Sequence, residues 1–337
     1  MLEKRKEIQY ISFLQLIGPI FVILGHSLNG IGLSEGIWWT FTKQWIYIFH
    51  MPLFFMISGY LLAYGDWMKG QSYRKFVKNK FNRLIIPYLV WNGICLLPKY
   101  FMQEFLTDEV QMSIGYVFTV FVTPRQNIWG HTWFLAGLFI VYIFTPLWQK
   151  IFSKFSLKKV AIFITLGVVI YILPIRTEVF CLSDLHKDIM FFWIGCMLGS
   201  VPTEKIKKYF YKTKIFNISL ALITSIVSLF LCADKSMWFV PCLFVLATLL
   251  TFGLYFDDKM DETLIKYSRR SFGIYILHWP VMLIIRILFL QIFGLNKTLT
   301  IICMILGGII IPNVVIAILS KSNLGKANTT MKYLLGV

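Results

Sequence analysis

The sequence has few charged residues, and acidic residues are the scarcer kind. Of its 337 residues only 15% are charged, and 16 Asp and Glu accompany 33 Lys and Arg. Hydrophobic residues make up 58% of the chain, and the mean hydropathy is +0.71. A water-soluble helical protein needs polar helix faces, which the long apolar runs of this chain lack. The composition therefore excludes a soluble domain and indicates an integral membrane protein.

Several sequence signatures are also missing. The chain has no metal-ligand spacing, P-loop, Rossmann fingerprint or G-x-S-x-G elbow. Its six cysteines contain no C-x-x-C pair, and most lie in apolar runs as small packing residues. Cys181 and Cys232 are the pair that could meet outside the membrane, although connectivity cannot be read from sequence. No cleavable signal peptide, linker or attached soluble domain is evident, so we expect a single domain over 1–337 and no metal.

Apolar runs of transmembrane length recur along the whole chain and predict an all-α polytopic bundle of about ten spans. Most of the 33 basic residues lie at the termini and in every second loop, which is the positive-inside pattern. This pattern accounts for the net charge of +17 without nucleic acid. It places both termini in the cytoplasm and the protein in the inner or plasma membrane. The predicted spans are 8–29, 41–64, 84–102, 131–149, 160–175, 188–201, 215–232, 239–256, 271–293 and 299–319.

Histidines in apolar segments are the candidate catalytic residues, because an imidazole is costly in a bilayer and is the commonest general base. His26 ends the first span. His50 precedes Met51-Pro52, which places it near the start of the second span, since proline suits a first helical turn. His278 lies about two turns into the ninth span and is the deepest of the five histidines. Each of them alone is also explained as a capping, interfacial or packing residue.

Two polar clusters have a functional and a simpler interpretation. The basic segment 69–83 fits cytoplasmic topology and lipid-headgroup contacts, and it also fits the phosphates of a cytosolic cofactor, with Arg83 as the forked contact. The acidic cluster in the outer loop before the sixth span suits sugar hydroxyls, but a solvated loop is the simpler and favoured interpretation. That cluster comprises Glu178, Asp184, His186 and Asp188. The longest outer connection contains 112–122, predicted to be an amphipathic interface segment.

Five motifs together give the chain a resemblance to the acyltransferase 3 family of integral membrane acyltransferases, and most closely to its sugar O-acetylase branch. No single motif is specific, but their order and spacing match over nearly the whole chain. They are Val22–Ser27 (VILGHS), Phe49–Tyr60 (FHMPLFFMISGY), Arg83–Tyr88 (RLIIPY), Thr132–Leu135 (TWFL) and Ser271–Pro280 (SFGIYILHWP).

The resemblance implies transfer of an acetyl group from cytosolic acetyl-CoA to a hydroxyl of a cell-envelope glycan. The catalytic residues would be His26, His50 and Gln15, with His26 as general base or as the site of an acetyl-histidine relay. Donor phosphates would bind Arg83 and nearby Lys80, Lys78 and Arg74. The acceptor would contact His278, Trp133 and Asn29. A glycan-assembly or extracellular partner protein would complete the system.

Gln15 is the one departure from the family pattern. The first-helix motif of the family is a basic residue, ten intervening residues and then the histidine, and Gln15 occupies the basic position. Both residues lie on one helix face, about 16 Å apart. A glutamine donates a hydrogen bond but brings no charge to a phosphate or oxyanion. Arg83 or Arg286 would then supply the cation. Otherwise activity is reduced or lost, which leaves a non-catalytic homologue or a glycan transporter as alternatives.

Overall fold

A computed structural model describes residues 8–28, 37–105, 113–126, 128–231, 238–321, 330–331 and 333–336. Within these residues the regular structure is entirely helical, as the apolar runs predict. The α-helices are α1 (Gln9–Ser27), α2 (Ile37–Tyr64), α3 (Tyr73–Phe101), α4 (Ile114–Val122), α5 (Trp133–Ile143), α6 (Thr145–Phe152), α7 (Leu157–Ile172), α8 (Leu182–Gly199), α9 (Thr203–Lys212), α10 (Lys214–Leu231), α11 (Phe239–Tyr255), α12 (Glu262–Ser268), α13 (Ser271–Arg286) and α14 (Lys297–Lys321).

Every predicted span overlaps a helix or a pair of helices. Over the described residues, six helices are long and apolar enough to cross a membrane: α1, α2, α3, α10, α14, and α13 with its π-helical extension Ile287–Ile292. A seventh crossing is formed if α5 and α6, which meet at a bend of 63°, count as one broken span. The remaining three predicted spans lie on α7, α8 and α11. Length and composition therefore support a polytopic bundle but do not fix ten crossings.

The helices separate into two compact units. The first unit contains residues 1–57 and 201–337, and the second contains residues 58–200, so the boundary lies within α2. In the first unit, α1 packs against α11, α12, α13 and α14, while α13 packs against α14 and α10 against α11. In the second unit, α3 packs against α5, and α8 packs against α7 and α6. The prediction of a single domain over 1–337 stays a prediction.

Burial distinguishes interior helices from peripheral ones. The apolar segment of α2 is 78% buried, whereas those of α10 and α14 are 11% and 28% buried. Apolar side chains exposed on a membrane helix face lipid, so α10 and α14 have the exposure of peripheral helices.

A buried carboxylate fixes the start of α1. Asp257 Oδ1 accepts the backbone N–H of Tyr10 at 2.8 Å, and its other oxygen pairs with Lys207.

Several helix boundaries differ from the predicted spans. α3 begins at Tyr73 rather than at 84, with Ser72 as its N-cap, so most of the basic segment is helical. α8 begins at Leu182 rather than at 188, which makes the predicted acidic loop largely helical. The predicted interface segment forms α4, from which Ile114 and Phe118 project as exposed apolar side chains. Charged residues end a hydrophobic run without ending a helix, and this difference accounts for the early starts of α3 and α8.

Candidate active site

Three histidines from three helices of the first unit meet beside one another. His26 lies in the last turn of α1, His50 in α2 and His278 in α13. The ring of His26 is 5.4 Å from that of His278 and 6.5 Å from that of His50, measured between ring centroids. His278 is fully buried and His50 is 6% exposed, whereas His26 is half-buried. The three candidates are therefore one cluster in which His26 is the most accessible imidazole.

Backbone carbonyls determine the tautomers of the two buried histidines. Nδ1 of His50 is 3.0 Å from the carbonyl oxygen of Ile46. Nδ1 of His278 is 2.6 Å from the carbonyl oxygen of Tyr275 and 3.2 Å from that of Ile274. A carbonyl only accepts hydrogen bonds, so Nδ1 carries the proton in both rings, and Nε2 is an acceptor in the neutral imidazole.

Two aromatic residues complete the surroundings of His26. The Tyr47 hydroxyl is 3.4 Å from His26 Nδ1, and the Tyr47 ring also lies 4.9 Å from that of His50. Trp279 lies edge-on to His26 at 4.9 Å. Gly25 permits this packing, because an added Cβ there would lie 3.1 Å from side-chain atoms of both Ile46 and Tyr47.

The position of His50 differs from the sequence prediction. Pro52 lies inside α2 rather than in its first turn, so His50 is thirteen residues, or about 20 Å, from the start of the helix. Proline is tolerated inside membrane helices, where neighbouring groups satisfy the freed carbonyl. The prediction that His50 lies near the start of the second span is therefore wrong. His278 is seven residues into α13, as predicted. The histidine cluster consequently lies well inside the helical region of α2 and α13.

Two further site residues, Gln15 and Asn29, were predicted in or next to the first helix. Gln15 is half-buried within α1, eleven residues before His26, as the helical spacing predicts. Asn29 lies outside the described residues.

Arg286, a candidate for the displaced cation, is half-buried at the end of α13, about 12 Å of helix beyond His278. Its Nε is buried without a hydrogen-bond partner among the described residues.

The four basic residues of α3 that were predicted to bind phosphate fall into two pairs. Arg74 and Lys78 are one turn apart on one side of the helix, whereas Lys80 and Arg83 share a different side, since each residue advances about 100°. Arg74, Lys78 and Arg83 are exposed. The Lys80 ammonium instead lies 3.8 Å from the centroid of the Tyr142 ring and 5.3 Å from that of Phe76. The four predicted phosphate contacts therefore do not form one patch.

A buried amide that sequence reasoning missed organises the region before Trp133. Asn92 of α3 donates to the hydroxyl of Thr132 at 3.1 Å and accepts the Trp129 backbone N–H at 3.0 Å. Trp133 is 2% exposed, and the guanidinium of Arg125 lies 4.8 Å from the centre of its ring. The TWFL motif is thus held in place by hydrogen bonds within the second unit. A buried asparagine inside an apolar helix is the signal that points to such a network.

The acidic cluster is partly buried rather than solvated. Asp184 in the first turn of α8 pairs with Arg125 at 2.9 Å, and Asp188 one turn later is 9% exposed. His186 is 7% exposed, with Nδ1 3.0 Å from the carbonyl oxygen of Leu182. Burial raises the pKa of Asp184, and the charge of Arg125 opposes that rise. The interpretation as a solvated loop is wrong for Asp184, His186 and Asp188, because α8 begins before them, whereas Glu178 precedes the helix and is half-buried.

The thiols and possible metal ligands add no further centre in the described chain. No group of three or more His, Cys, Asp or Glu side chains there could hold a metal ion. Cys181 is a free, buried thiol whose Sγ lies 3.6 Å from the carbonyl oxygen of Trp133. Cys232 lies outside the described residues.

The described residues thus form a polytopic helical membrane protein in which three helices bring three imidazoles together. Residues 8–318 match the acyltransferase domain family, so the chain belongs to that family. The resemblance seen in the sequence motifs is confirmed over nearly the whole chain.

The chain matches several curated relatives over part of its length. The nodulation protein NolL of Sinorhizobium fredii (strain NBRC 101917 / NGR234) is 29% identical over 195 residues, which cover 57% of this chain and 49% of NolL. The glucans biosynthesis protein C of Escherichia coli (strain K12) is 26% identical over 174 residues, covering 47% of this chain and 45% of that protein. The matched region thus spans about half the length of these relatives. No solved structure matches the chain.

Proposed function

We propose that this protein is an O-acetyltransferase of the inner or plasma membrane. It would move an acetyl group from cytosolic acetyl-CoA to a hydroxyl of a cell-envelope or exported glycan. Membership of the acyltransferase domain family supports the reaction class. The name of one relative, glucans biosynthesis protein C, supports a glycan acceptor. The observation that carries the proposal is the cluster of His26, His50 and His278 inside the membrane helices.

His26 is proposed as the general base, because it is the only imidazole of the cluster that is more than slightly exposed. The acceptor oxygen attacks the thioester carbonyl carbon while the imidazole takes the hydroxyl proton. The carbon–sulfur bond then breaks, and the coenzyme A thiolate receives a proton. Tyr47 would hold the His26 ring, and the close packing of His50 and His278 would restrict its orientation.

A relay through acetyl-histidine uses the same residues. Here an imidazole nitrogen of His26 attacks the thioester first, coenzyme A leaves, and the acceptor hydroxyl then attacks the acetyl-imidazole. The two routes differ in one observable. Only the relay transfers labelled acetyl from acetyl-CoA to the protein when the acceptor is absent, and quenching with hydroxylamine would release that label.

The donor phosphates are proposed to bind the basic end of α3. Arg83 and Lys80 share one side of that helix, which favours them as a pair, with Arg74 and Lys78 as a second contact. Arginine matches phosphate geometry with two parallel hydrogen bonds, so Arg83 is the principal candidate. Acceptor contacts from His278, Trp133 and Asn29 remain part of the proposal. The complete burial of His278 favours a positioning role for it.

The first experiment measures base-labile acetyl groups on surface glycans of the native host. Strains would carry the wild-type gene, a deletion, His26→Ala or His186→Ala. The last is a histidine control outside the cluster. Its Nδ1 faces the carbonyl oxygen four residues earlier, as the Nδ1 of His50 does. We expect the acetyl groups to disappear in the deletion and to fall about 10²–10⁴-fold in His26→Ala, as for loss of a general base. His186→Ala should retain them.

Immunoblots of membrane fractions would confirm that each variant is present at wild-type abundance. Full acetylation in His26→Ala would refute the proposed role of His26. Unchanged acetylation in the deletion strain would refute the acceptor class. Glycan that accumulates inside the deletion strain would favour transport, which is the principal alternative.

A further inference from the structure

An open cavity of about 320 Å³ lies in the first unit where α13 begins beside α14. Its polar side is formed by Tyr267, Arg270 and Asn313, and its apolar side includes Ile310, Val314 and Ala317. This volume is at the lower end of the range of small-molecule sites, which is about 300–1,000 Å³. It is separate from the histidine cluster, since none of those histidines lines it.

Arg270 is a buried cation that lacks an acidic partner in the described part of the chain. It is only 8% exposed. Its Nη1 makes two long hydrogen bonds of 3.3 Å, both to Asn313, and its guanidinium lies 5.0 Å from the centre of the Tyr267 ring. The two ion pairs among the described residues involve other cations. A buried charge is costly without a counter-charge, so this arrangement suits an anion.

Two further features favour an anion at this position. Arg270 is also the N-cap residue of α13, and the first turn of that helix contains no acidic residue. The N-terminus of a helix carries a partial positive charge and unpaired N–H groups, both of which attract anions. The charge pattern of the loops predicts that this end of α13 faces the cytoplasm, where bilayers carry anionic lipids.

The apolar side of the cavity continues along a stripe on α14. Exposed side chains recur there at one-turn intervals: Leu306 at 52%, Ile310 at 54%, Val314 at 48% and Ile318 at 61% exposure. Such a stripe on a membrane helix faces acyl chains. Asn313, which contacts Arg270, is eight residues or about 12 Å from the end of α14 at Lys321. The guanidinium therefore lies at the level of the apolar stripe.

We propose that this cavity binds an anionic phospholipid. The lipid phosphate would accept hydrogen bonds from Arg270, and one acyl chain would lie along Ile310 and Val314. The apolar stripe favours a phospholipid over a free phosphate, because a free phosphate has no acyl chain to contact the stripe. Coenzyme A offers the same phosphate chemistry, but its soluble nucleotide does not match an exposed apolar stripe.

The test uses the full chain purified in detergent and measures lipid adducts by native mass spectrometry. Phosphatidylglycerol and phosphatidylcholine are titrated against the wild type, Arg270→Gln, Ala317→Phe and Arg269→Gln. Arg269 is the matched control, because it is the adjacent arginine and is exposed. Phosphatidylglycerol should bind the wild type and Arg269→Gln in preference to phosphatidylcholine. Its Kd should rise at least about tenfold in Arg270→Gln, as for the loss of a hydrogen bond to a charged group.

Equal Kd values for Arg270→Gln and the wild type would overturn the proposal, as would an equal weakening in Arg269→Gln. Displacement of phosphatidylglycerol by equimolar coenzyme A or inorganic phosphate would assign the site to a soluble phosphate instead. If Arg270→Gln fails to fold, Ala317→Phe decides, because it fills the cavity and keeps the arginine. Loss of phosphatidylglycerol from that variant supports the lipid site, and unchanged binding refutes it.

Discussion

The two buried histidines of the cluster each bond a carbonyl of their own helix. This i to i−4 arrangement directs Nε2 of His50 and His278 away from the helix backbone and fixes the tautomer without a carboxylate. His26 differs, because its Nδ1 faces the Tyr47 hydroxyl and its ring is half-buried. At the scale of residues, the cluster thus combines one accessible imidazole with two immobilised ones. This division supports the assignment of His26 to proton transfer.

Gln15 gives a direct test of whether a missing cation limits the enzyme. The family resemblance predicts a basic residue at this position, which lies on the same face of α1 as His26 by helical spacing. We expect Gln15→Arg to lower the KM for acetyl-CoA at least about threefold, because a guanidinium adds a charge-assisted hydrogen bond to a phosphate or thioester oxygen. Initial rates of the purified protein, measured with labelled acetyl-CoA, would give KM and kcat separately.

Gln15→Met is the matched control, since it has similar length and is uncharged. It should leave the KM for acetyl-CoA within about twofold of the wild type, because any gain in Gln15→Arg comes from charge. An unchanged or higher KM in Gln15→Arg, with thermal stability intact, would show that another cation already serves the donor.

The cost of an imidazole in a bilayer is what made His26, His50 and His278 identifiable in the sequence. Tyr47 and Trp279 were missed for the opposite reason. Aromatic residues form 17% of this chain, so two of them in apolar helices cannot be distinguished from ordinary packing residues. Asn92 was missed because its role depends on Thr132, forty residues away, and on the turn before α5. Contacts of that range depend on packing, which local pattern does not specify.

Hydropathy located the helices but not all of their ends. The apolar runs correctly predicted α1, α10 and α14, whose ends lie close to the ends of the runs. α3 begins eleven residues before its predicted span, because lysine and arginine are good helix formers. Pro52 led to a different error. It was expected in the first turn of a helix, and it instead lies within α2. Periodicity and propensity indicate where a helix begins and ends, whereas hydropathy indicates which part of it lies in an apolar environment.

A close helix crossing in the second unit gives a prediction about stability. At Gly59 of α2, an added Cβ would overlap the Phe192 carbonyl oxygen and lie 3.0 Å from the backbone nitrogen of Cys196. Backbone atoms cannot move aside as a side-chain end can, so Gly59→Ala forces α2 and α8 apart. We expect a loss of about 1–3 kcal/mol, measured as a Tm lower by several degrees in detergent.

Gly93→Ala is the control for that substitution. Gly93 lies inside α3, and an added Cβ there would meet no atom within 4 Å. Alanine stabilises a helix interior relative to glycine, so the Tm should stay equal or rise slightly. A Gly59→Ala protein as stable as Gly93→Ala would mean that the two helices do not approach so closely.

The number of membrane crossings determines whether the two termini lie on the same side. Six crossings or ten place both termini together, whereas seven separate them. Basic clusters at both ends of the chain require an even number under the positive-inside rule. If α5 and α6 form one crossing, then α7, α8 and α11 must together add an odd number. Ten crossings result when all three span the membrane.

Of these three helices, α7 is the shortest, but its surface favours a lipid environment. α7 has 16 residues, or about 24 Å, which is less than the bilayer core of about 30 Å. Nevertheless Leu166, Val169 and Ile172 are exposed on it at helical spacing, and an apolar stripe of this kind is unfavourable in water. A membrane can thin around a short span at modest cost. We therefore expect α7 to cross and to carry the chain from the cytoplasm to the outer side.

Single cysteines on the two sides of α7 test this topology. Lys154 and Arg176 are both exposed, and they flank α7 at its start and its end. In a variant without the native cysteines, a membrane-impermeant maleimide should label Arg176→Cys in intact cells. It should label Lys154→Cys only after permeabilisation, because that residue faces the cytoplasm. The same reaction of both cysteines in intact cells would place the two ends of α7 on one side, and it would reduce the ten predicted crossings.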